Sequence, residues 1–350
     1  MARASRRDAE GYAAAVIVLD GPKRPGLLRS LVHPLGPLFR HLPLGLRRHL
    51  LYLRAHNRWG NFRQPTLWNE KIQWRILNDR RAIMAFTCDK LATQQYVATL
   101  PTAKHPLINT PEVYWVGRDV RELQRISSLL PSRWVLKPNH SSGRIAAIDS
   151  NVGPVDWVEI ERLSHRWMQE DEEIQVFGHW AYRRARPLLI AQQHIGDAAG
   201  FPPDIRVLCS GGKVILAFST TGYPADHYSI AFYDSDLKTR IQWGHPHESA
   251  RETRDVIDSL SEDARASIIA FASEASAPFD SIRVDGLLFD GRFHLTELTS
   301  YPTSGLGAIG LEANKVVGAI WQLPDLNAPD PREAEWRALL VGTPKGTLQR

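Results

Sequence analysis

Ser281-Ile-Arg-Val-Asp-Gly-Leu-Leu-Phe-Asp-Gly-Arg-Phe-His-Leu-Thr-Glu-Leu-Thr299 carries two runs of strand-forming residues on either side of Asp290-Gly291, a strong hairpin-turn signal. Each run sets a carboxylate, Asp285 or Glu297, among apolar neighbours. An ionised group in a half-buried strand is costly unless it is paired, hydrogen-bonded or bound to a metal. Side chains alternate faces along a strand. Arg283 therefore shares a face with Asp285, and Glu297 shares one with Thr299. A strict two-residue turn pairs Phe289 with Arg292 and throws Asp285 and Glu297 to opposite faces, whereas a three-residue loop or a bulge returns them to the same one. If both carboxylates serve one ion, the turn is expected not to be the simple one. The ion they suit is Mg²⁺, a hard cation held by one or two carboxylates together with phosphate oxygens. The plainer reading is a surface hairpin with scattered charges. Arg283 just before the Asp, and the polar turn Thr299-Ser-Tyr-Pro-Thr-Ser-Gly305 after the Glu, weigh against it.

Upstream, Trp134-Val-Leu-Lys137-Pro-Asn-His-Ser-Ser-Gly143-Arg-Ile reads as a strand ending in a lysine, a polar turn and a second strand. A strand-end lysine can neutralise phosphate, and the N–H groups of such a turn can cradle it. With one glycine the turn is no Walker loop. The chain has nine lysines against 34 arginines, so Lys90 and Lys137 stand out from a surface built of arginine. Each residue also has an ordinary reading: Lys137 as a plain strand-end lysine, Arg283 as an ion-pair partner, His140 as a turn histidine, Trp68 and Trp74 as core.

The chain has 350 residues, 43% hydrophobic and 23% charged, a soluble globular balance long enough for two or three lobes. Cys88 and Cys209 lie far apart without metal-ligand spacing, which argues against a disulfide framework or zinc site and for a reducing compartment. The net charge of +5 is spread along the chain and suits acidic or phosphorylated partners, with no motif for nucleic acid. No stretch is apolar enough to span a bilayer. Arg3, Arg6 and Arg7 precede the apolar run Ala13–Leu19, but Asp8 and Glu10 intervene and no cleavage site follows, so a cytoplasmic protein with a loose N-terminal tail is expected.

Helical periodicity predicts a basic amphipathic helix from Leu42 to Trp59, a second after Thr66, and a third from Thr87 to Val97. The first packs on its own domain or lies on anionic membrane at the inner face. Strands are expected at Trp134–Pro138, Gly143–Ile148, Leu188–Gln192, Ile205–Cys209 and Lys213–Phe218. Further helices are expected at Trp157–Met168, Ser261–Ala275 and Asn314–Gln322. This gives an α+β protein divided into a flexible tail (1–35), a helical N-terminal region (36–105), two α+β lobes (106–195 and 196–325) and a C-terminal tail (326–350). Oligomeric state is not legible.

Trp68-Asn-Glu-Lys-Ile-Gln-Trp74, Asp89-Lys90, Val135-Leu-Lys-Pro-Asn-His140, Asp204-Ile-Arg-Val207 and Arg283-Val-Asp285 together resemble, in order and spacing, the TupA-like branch of the ATP-grasp superfamily, associated with bacterial surface polysaccharide synthesis. The resemblance covers about residues 55 to 320. It implies an ATP-grasp fold with two α+β lobes gripping Mg-ATP, and carboxylate–amine ligation through an acylphosphate, with an acidic sugar or amino acid among the substrates. It also implies roles for residues. Lys90 and Lys137 would contact phosphates under a lid of His140, Ser141, Ser142 and Gly143. Gln192, Gln193 and Ile195 would form the adenine-side hinge. Asp204 and Arg206 would border the nucleotide. Asp285, Glu297 and Thr299 would hold Mg²⁺, and Arg283 would stabilise the transferring phosphoryl group. This sequence departs from the family at Gln192, where an acid is usual, at Thr299, where an Asn is usual, and at Asp204-Ile-Arg206 in place of Asp-Tyr-Lys. The same nucleotide apparatus would also serve a phosphotransferase acting on a sugar hydroxyl, or a nucleotide-binding assembly protein without catalysis.

Overall fold

A computed structural model describes residues 16–20, 39–169, 172–197, 202–222, 228–250 and 255–349. In chain order the elements begin with β1 (Val16–Asp20) and helices α1 (Leu44–His56), α2 (Trp68–Asn78), α3 (Ala82–Thr87) and α4 (Lys90–Ala98). Then come β2 (Ile108–Asn109), β3 (Val113–Gly117), α5 (Val120–Arg125), β4 (Arg133–Pro138), β5 (Arg144–Asp149), α6 (Trp157–Gln169), α7 (Glu172–Gln175) and β6 (Leu189–Gln193). The second half holds β7 (Asp204–Ser210), β8 (Lys213–Thr221), β9 (Ser229–Tyr233), β10 (Arg240–Ile241), α8 (Glu262–Ser276), β11 (Ile282–Phe289), β12 (Arg292–Thr299), α9 (Leu311–Ile320) and α10 (Glu333–Ala338).

Two sheets organise these elements. The smaller is antiparallel in the order β1-β5-β4-β6-β3, and the larger runs β10-β9-β8-β7-β11-β12-β2, with β2 parallel to β12. Period-two alternation decides which face each sheet buries. In β4, Trp134 and Leu136 join a core with Trp115, Leu189 and Ala191, closed by Ile160, Leu163 and Trp167 from one stripe of α6. Val135 and Lys137 point to the opposite face. In the large sheet, Ile205, Val207, Val284 and Leu298 bury against Ile268, Phe271 and Ala275 of α8. That helix starts where it does because Ser261 Oγ accepts the N–H of Ala264, with Glu262 and Asp263 in the first turn favouring the positive end of the helix dipole.

The hairpin departs from expectation. Its turn is the simple two-residue one: Phe289 pairs with Arg292, and both Asp290 (φ 51°) and Gly291 (φ 67°) are left-handed, as a type I′ turn requires. The correction of face comes from a bulge instead. Gly286 pairs with Leu295 while Asp285 pairs with Glu297, so Thr296 is the extra residue, and its hydroxyl donates to the Asp285 carbonyl at 3.0 Å.

Two expected tails are corrected where they fall on described residues. Val16–Asp20 pairs antiparallel with β5 from Val16↔Ile148 to Asp20↔Arg144, because β5 otherwise leaves an open edge. After Pro331 the chain forms α10, whose Trp336 is fully buried against Phe86 and Tyr96, and Thr347 and Leu348 bond the backbone of β3. The line drawn at residue 106 also separates badly, since β2 belongs to the large sheet.

Candidate nucleotide and metal site

The bulge puts Asp285 and Glu297 opposite one another on one face, with Arg283 opposite Thr299 one step along. Arg283 Nε and Nη2 donate to the two oxygens of Asp285, each at 2.6 Å, a buried bidentate pair. The Thr299 hydroxyl lies 2.7 Å from Asp285 Oδ2 and 3.1 Å from Glu297 Oε1. Across β7, Arg206 faces Asp285 and pairs with Asp204 at 2.5 Å. Burial opposes the Arg283 charge, but Asp285, then Glu297 and Asp204, raise its pKa above the usual value. Burial pushes the Asp204 carboxyl up, against the pull of Arg206 and Thr220.

This donor set fits Mg²⁺ of the kind completed by phosphate oxygens. It offers only hard oxygen ligands, two carboxylates and a hydroxyl, and among the described residues the one hydrogen bond to Glu297 falls on one of its two oxygens. Among the described residues no group of three or more His, Cys, Asp or Glu side chains gathers into an all-protein metal cage.

The small sheet contributes the cations. Lys137, next to last in β4, lies on the face away from the Trp134 core and is 7% exposed, yet its Nζ donates no hydrogen bond among the described residues. Burial first, then repulsion from Lys90, lowers its pKa to about 7, while Glu297 pulls it upward. Lys137, Lys90 and Glu297 thus lie within electrostatic reach of one another although they come from β4, α4 and β12. Lys90 is held differently. Asp89 caps α4 by accepting from Ala92 N at 2.9 Å and pairs with Arg186, which sets Lys90 in the first turn. Its Nζ donates to the carbonyls of Pro138 (3.1 Å) and Ser141, and Leu91 N bonds Asn139 Oδ1 at 2.9 Å. Lys90 therefore pins the β4–β5 turn from below.

That turn is His140, Ser141, Ser142 and Gly143, the last left-handed at φ 69° as only glycine adopts freely. Burial, then Lys90 and Arg144, lowers the His140 pKa to about 4. Ser141 Oγ is buried with no partner. On β6, Gln192 pairs with Val135 and so shares the Lys137 face, with its Oε1 buried and unpartnered. Gln193 alternates to the other face and accepts from Glu112 N at 3.3 Å. Gln193, His194, Ile195 and Gly196 form one wall of a cavity of about 200 Å³ whose other wall is Asn109 with Phe289, Asp290, Arg292 and His294 of the hairpin.

Sequence reasoning missed a second polar layer beyond the end of β12. Thr303, Ser304 and Gly305 are all left-handed (φ 47°, 58° and 64°). The fully buried Arg48 of α1 donates to Ser304 Oγ (3.0 Å), Ser304 O (2.6 Å) and Gln73 Oε1 (2.7 Å). His179 joins Ser304 Oγ at 2.9 Å to Glu173 at 2.8 Å. Arg75 holds the Ser300 carbonyl at 2.9 Å. The only sequence trace of this layer is Gly305, since an arginine in an amphipathic helix reads as surface.

The family model described as TupA-like ATPgrasp matches residues 70–319. The chain belongs to the TupA-like ATP-grasp family. The match runs from α2 to α9 and includes Lys90, Lys137, Asp285 and Glu297, whereas β1, α1 and α10 lie outside it. No curated protein matches this TupA-like ATP-grasp chain. Similar solved structures include the ATP-grasp ligase PsnB complexed with a minimal precursor (13% identity, TM-score 0.35), covering 66% of this chain and 60% of that one. Another is D-alanine–D-alanine ligase from Bacillus anthracis complexed with ATP (12%, TM-score 0.35; 67% and 64%). A third is N5-carboxyaminoimidazole synthase from Aspergillus clavatus in complex with ADP and 5-aminoimidazole ribonucleotide (14%, TM-score 0.37; 72% and 54%). The matched part of the chain thus spans less than two thirds of the length of each of these three.

Proposed function

We propose that this TupA-like ATP-grasp protein is an ATP-dependent carboxylate–amine ligase of bacterial surface polysaccharide biosynthesis or modification, working in the cytoplasm. The observation that carries the reading is Lys137, a buried lysine with no hydrogen-bond partner among the described residues and within electrostatic reach of Glu297. A buried cation without a partner is a cost that an anion repays, and polyphosphate is the anion that a neighbouring pair of carboxylates would bridge through Mg²⁺.

In this reading Lys137 neutralises the phosphates, Lys90 keeps the Ser141–Gly143 turn in place over them, and Gln192 Oε1 and Ile195 meet the base, with Gln193 holding the hinge to Glu112. Asp204 and Arg206 border the nucleotide. Glu297, Asp285 and Thr299 would hold Mg²⁺, which when bound would supply charge neutralisation for the transferring phosphoryl group. A substrate carboxylate oxygen attacks the γ-phosphorus and ADP leaves, giving an acylphosphate. The amine nitrogen attacks the acyl carbon, phosphate leaves, and the amine gives up its proton to solvent. The chain's contribution is position and electrostatics. Arg283, held by both oxygens of Asp285, would stabilise charge on the transferring phosphoryl group.

The test is ADP release screened over paired carboxylates, including uronic acids and amino acids, and amines. Release that requires both partners supports ligation. Release with a sugar hydroxyl alone supports a phosphotransferase, and stabilisation by MgATP without turnover supports a binding protein.

A further inference from the structure

Helix α1 presents Leu46, Leu50 and Leu53 on one stripe at 42%, 37% and 38% exposure, while the opposite side buries Arg48, Leu51 and Tyr52. The stripe does not end with the helix. Asn57 closes it in the left-handed conformation, and the chain turns back so that Trp59 stacks on His49 at 4.6 Å with the rings 5° from parallel, His49 in turn stacking on Phe62 at 4.0 Å. His49 adjoins Leu46 and Leu53 on the helix surface. Trp59 is thereby held rigid beside the leucines while remaining 58% exposed.

The sequence that builds this surface is one-sided in charge. From residue 21 to residue 69 the sequence contains no Asp or Glu, and it contains Lys23, Arg24, Arg29, Arg40, Arg47, Arg48, Arg54, Arg58 and Arg63. Arg40 and Arg63 are exposed, and Arg54 and Arg58 are half-exposed.

We propose that α1 and Trp59 form a docking surface for an anionic lipid bilayer, with the leucine stripe and the indole entering the headgroup boundary and the arginines meeting lipid phosphates. Three features favour lipid over another occupant. The surface is the convex side of one helix and not a groove. An exposed tryptophan beside an apolar stripe is the side chain that settles at a membrane interface. Residues 21–38 of the chain itself carry only positive charge and supply no counter-charge. No described helix is long and apolar enough to cross a membrane, so the contact is peripheral. Through Arg48 the inner side of α1 grips Ser304, five residues beyond β12, so docking would hold the Asp285–Glu297 face close to the bilayer. The proposal is independent of the ligase reading.

Co-sedimentation of the full chain tests it, with vesicles of phosphatidylcholine containing phosphatidylglycerol against vesicles of phosphatidylcholine alone. Binding is expected only to the anionic vesicles, to fall steeply with salt, and to weaken by at least about tenfold in the variant Leu46→Gln/Leu50→Gln/Leu53→Gln. The thermal shift with MgATP should match wild type in that variant and in Trp59→Ala, which provides the second test should the triple variant fold poorly. Undiminished binding by folded variants, equal binding to both vesicle types, or no binding to anionic vesicles would each overturn the proposal. In the last case protection of the stripe from protease would assign it to the chain's own N-terminal segment.

Discussion

Thr299 Oγ1 sits 2.7 Å from Asp285 Oδ2, closing a triangle in which Arg283 already grips both oxygens of the same carboxylate. Asp285 is therefore satisfied without a metal, and a bound cation must share it with Arg283.

Arg283→Met should cost about 3–5 kcal/mol of stability without nucleotide, because it strands a buried carboxylate. Mg²⁺ should recover part of that loss by taking the place of the guanidinium. Urea unfolding of wild type and variant with and without Mg²⁺ and a non-hydrolysable nucleotide measures both. A loss below about 1 kcal/mol would mean that the pair is solvent-screened.

Gly286 holds the bulge. A Cβ there would meet the Phe293 ring at 2.3 Å. Gly286→Ala should cost about 1–3 kcal/mol and, by disturbing the register at Asp285, weaken MgATP binding. Phe293→Ala in the same chain should restore the nucleotide affinity even though it loses core packing. Weakened affinity that persists in the double variant would detach the bulge from the site.

Much of this was legible because local pattern and tertiary outcome agree. Alternation in Trp134-Val-Leu-Lys137 separates core from cleft, and Ser261 before Glu262-Asp263 marks a helix start within a residue of where α8 begins. What stayed hidden depends on contacts distant in sequence. Val16–Asp20 becomes a strand only because β5 has a free edge, and Trp336 is core only because Phe86 and Tyr96 leave a place for it. The bulge is of the same kind, since parity could state that one was required or the turn longer, but the Phe293 ring against Gly286 decides between them. Arg48 was illegible for a different reason: arginine in a helix is usually solvent-facing, and nothing local announces Ser304 as its acceptor.

Lys137 should make stability depend on pH. Its pKa falls from 10.5 to about 7 on folding, burial being the main cause. Between those values the unfolded chain holds the proton and the native one does not, so this group's contribution to stability rises as pH increases from about 7 to 10.5. Lys137→Met should accordingly stabilise the nucleotide-free protein most at and below neutral pH, with the advantage fading by pH 10. Polyphosphate favours the ammonium form, so ATP binding to wild type above neutral pH should take up a proton, seen as a binding heat that changes with the ionisation enthalpy of the buffer. Identical heats in all buffers, or a variant advantage that does not change with pH, would remove Lys137 from the phosphate site.

Glu297 separates catalysis from binding. Glu297→Gln keeps size and the Thr299 hydrogen bond but removes one negative charge from the face where Mg²⁺ is expected, and that ion gathers γ-phosphate charge during transfer. Glu297 also draws the Lys137 and Lys90 pKa values upward, so its neutralisation leaves both lysines less willing to carry charge. The melting temperature without nucleotide should stay within a few degrees of wild type, since Glu297 is only half-buried and forms no ion pair among the described residues. Stabilisation by MgATP should shrink, because ligand-linked stability falls with affinity, and acceptor-dependent ADP formation should disappear. Equal acceptor-dependent turnover in Glu297→Gln and wild type would sink the metal role. Turnover in neither, with MgATP still raising the wild-type melting temperature, would move the protein from ligase to nucleotide-binding assembly factor.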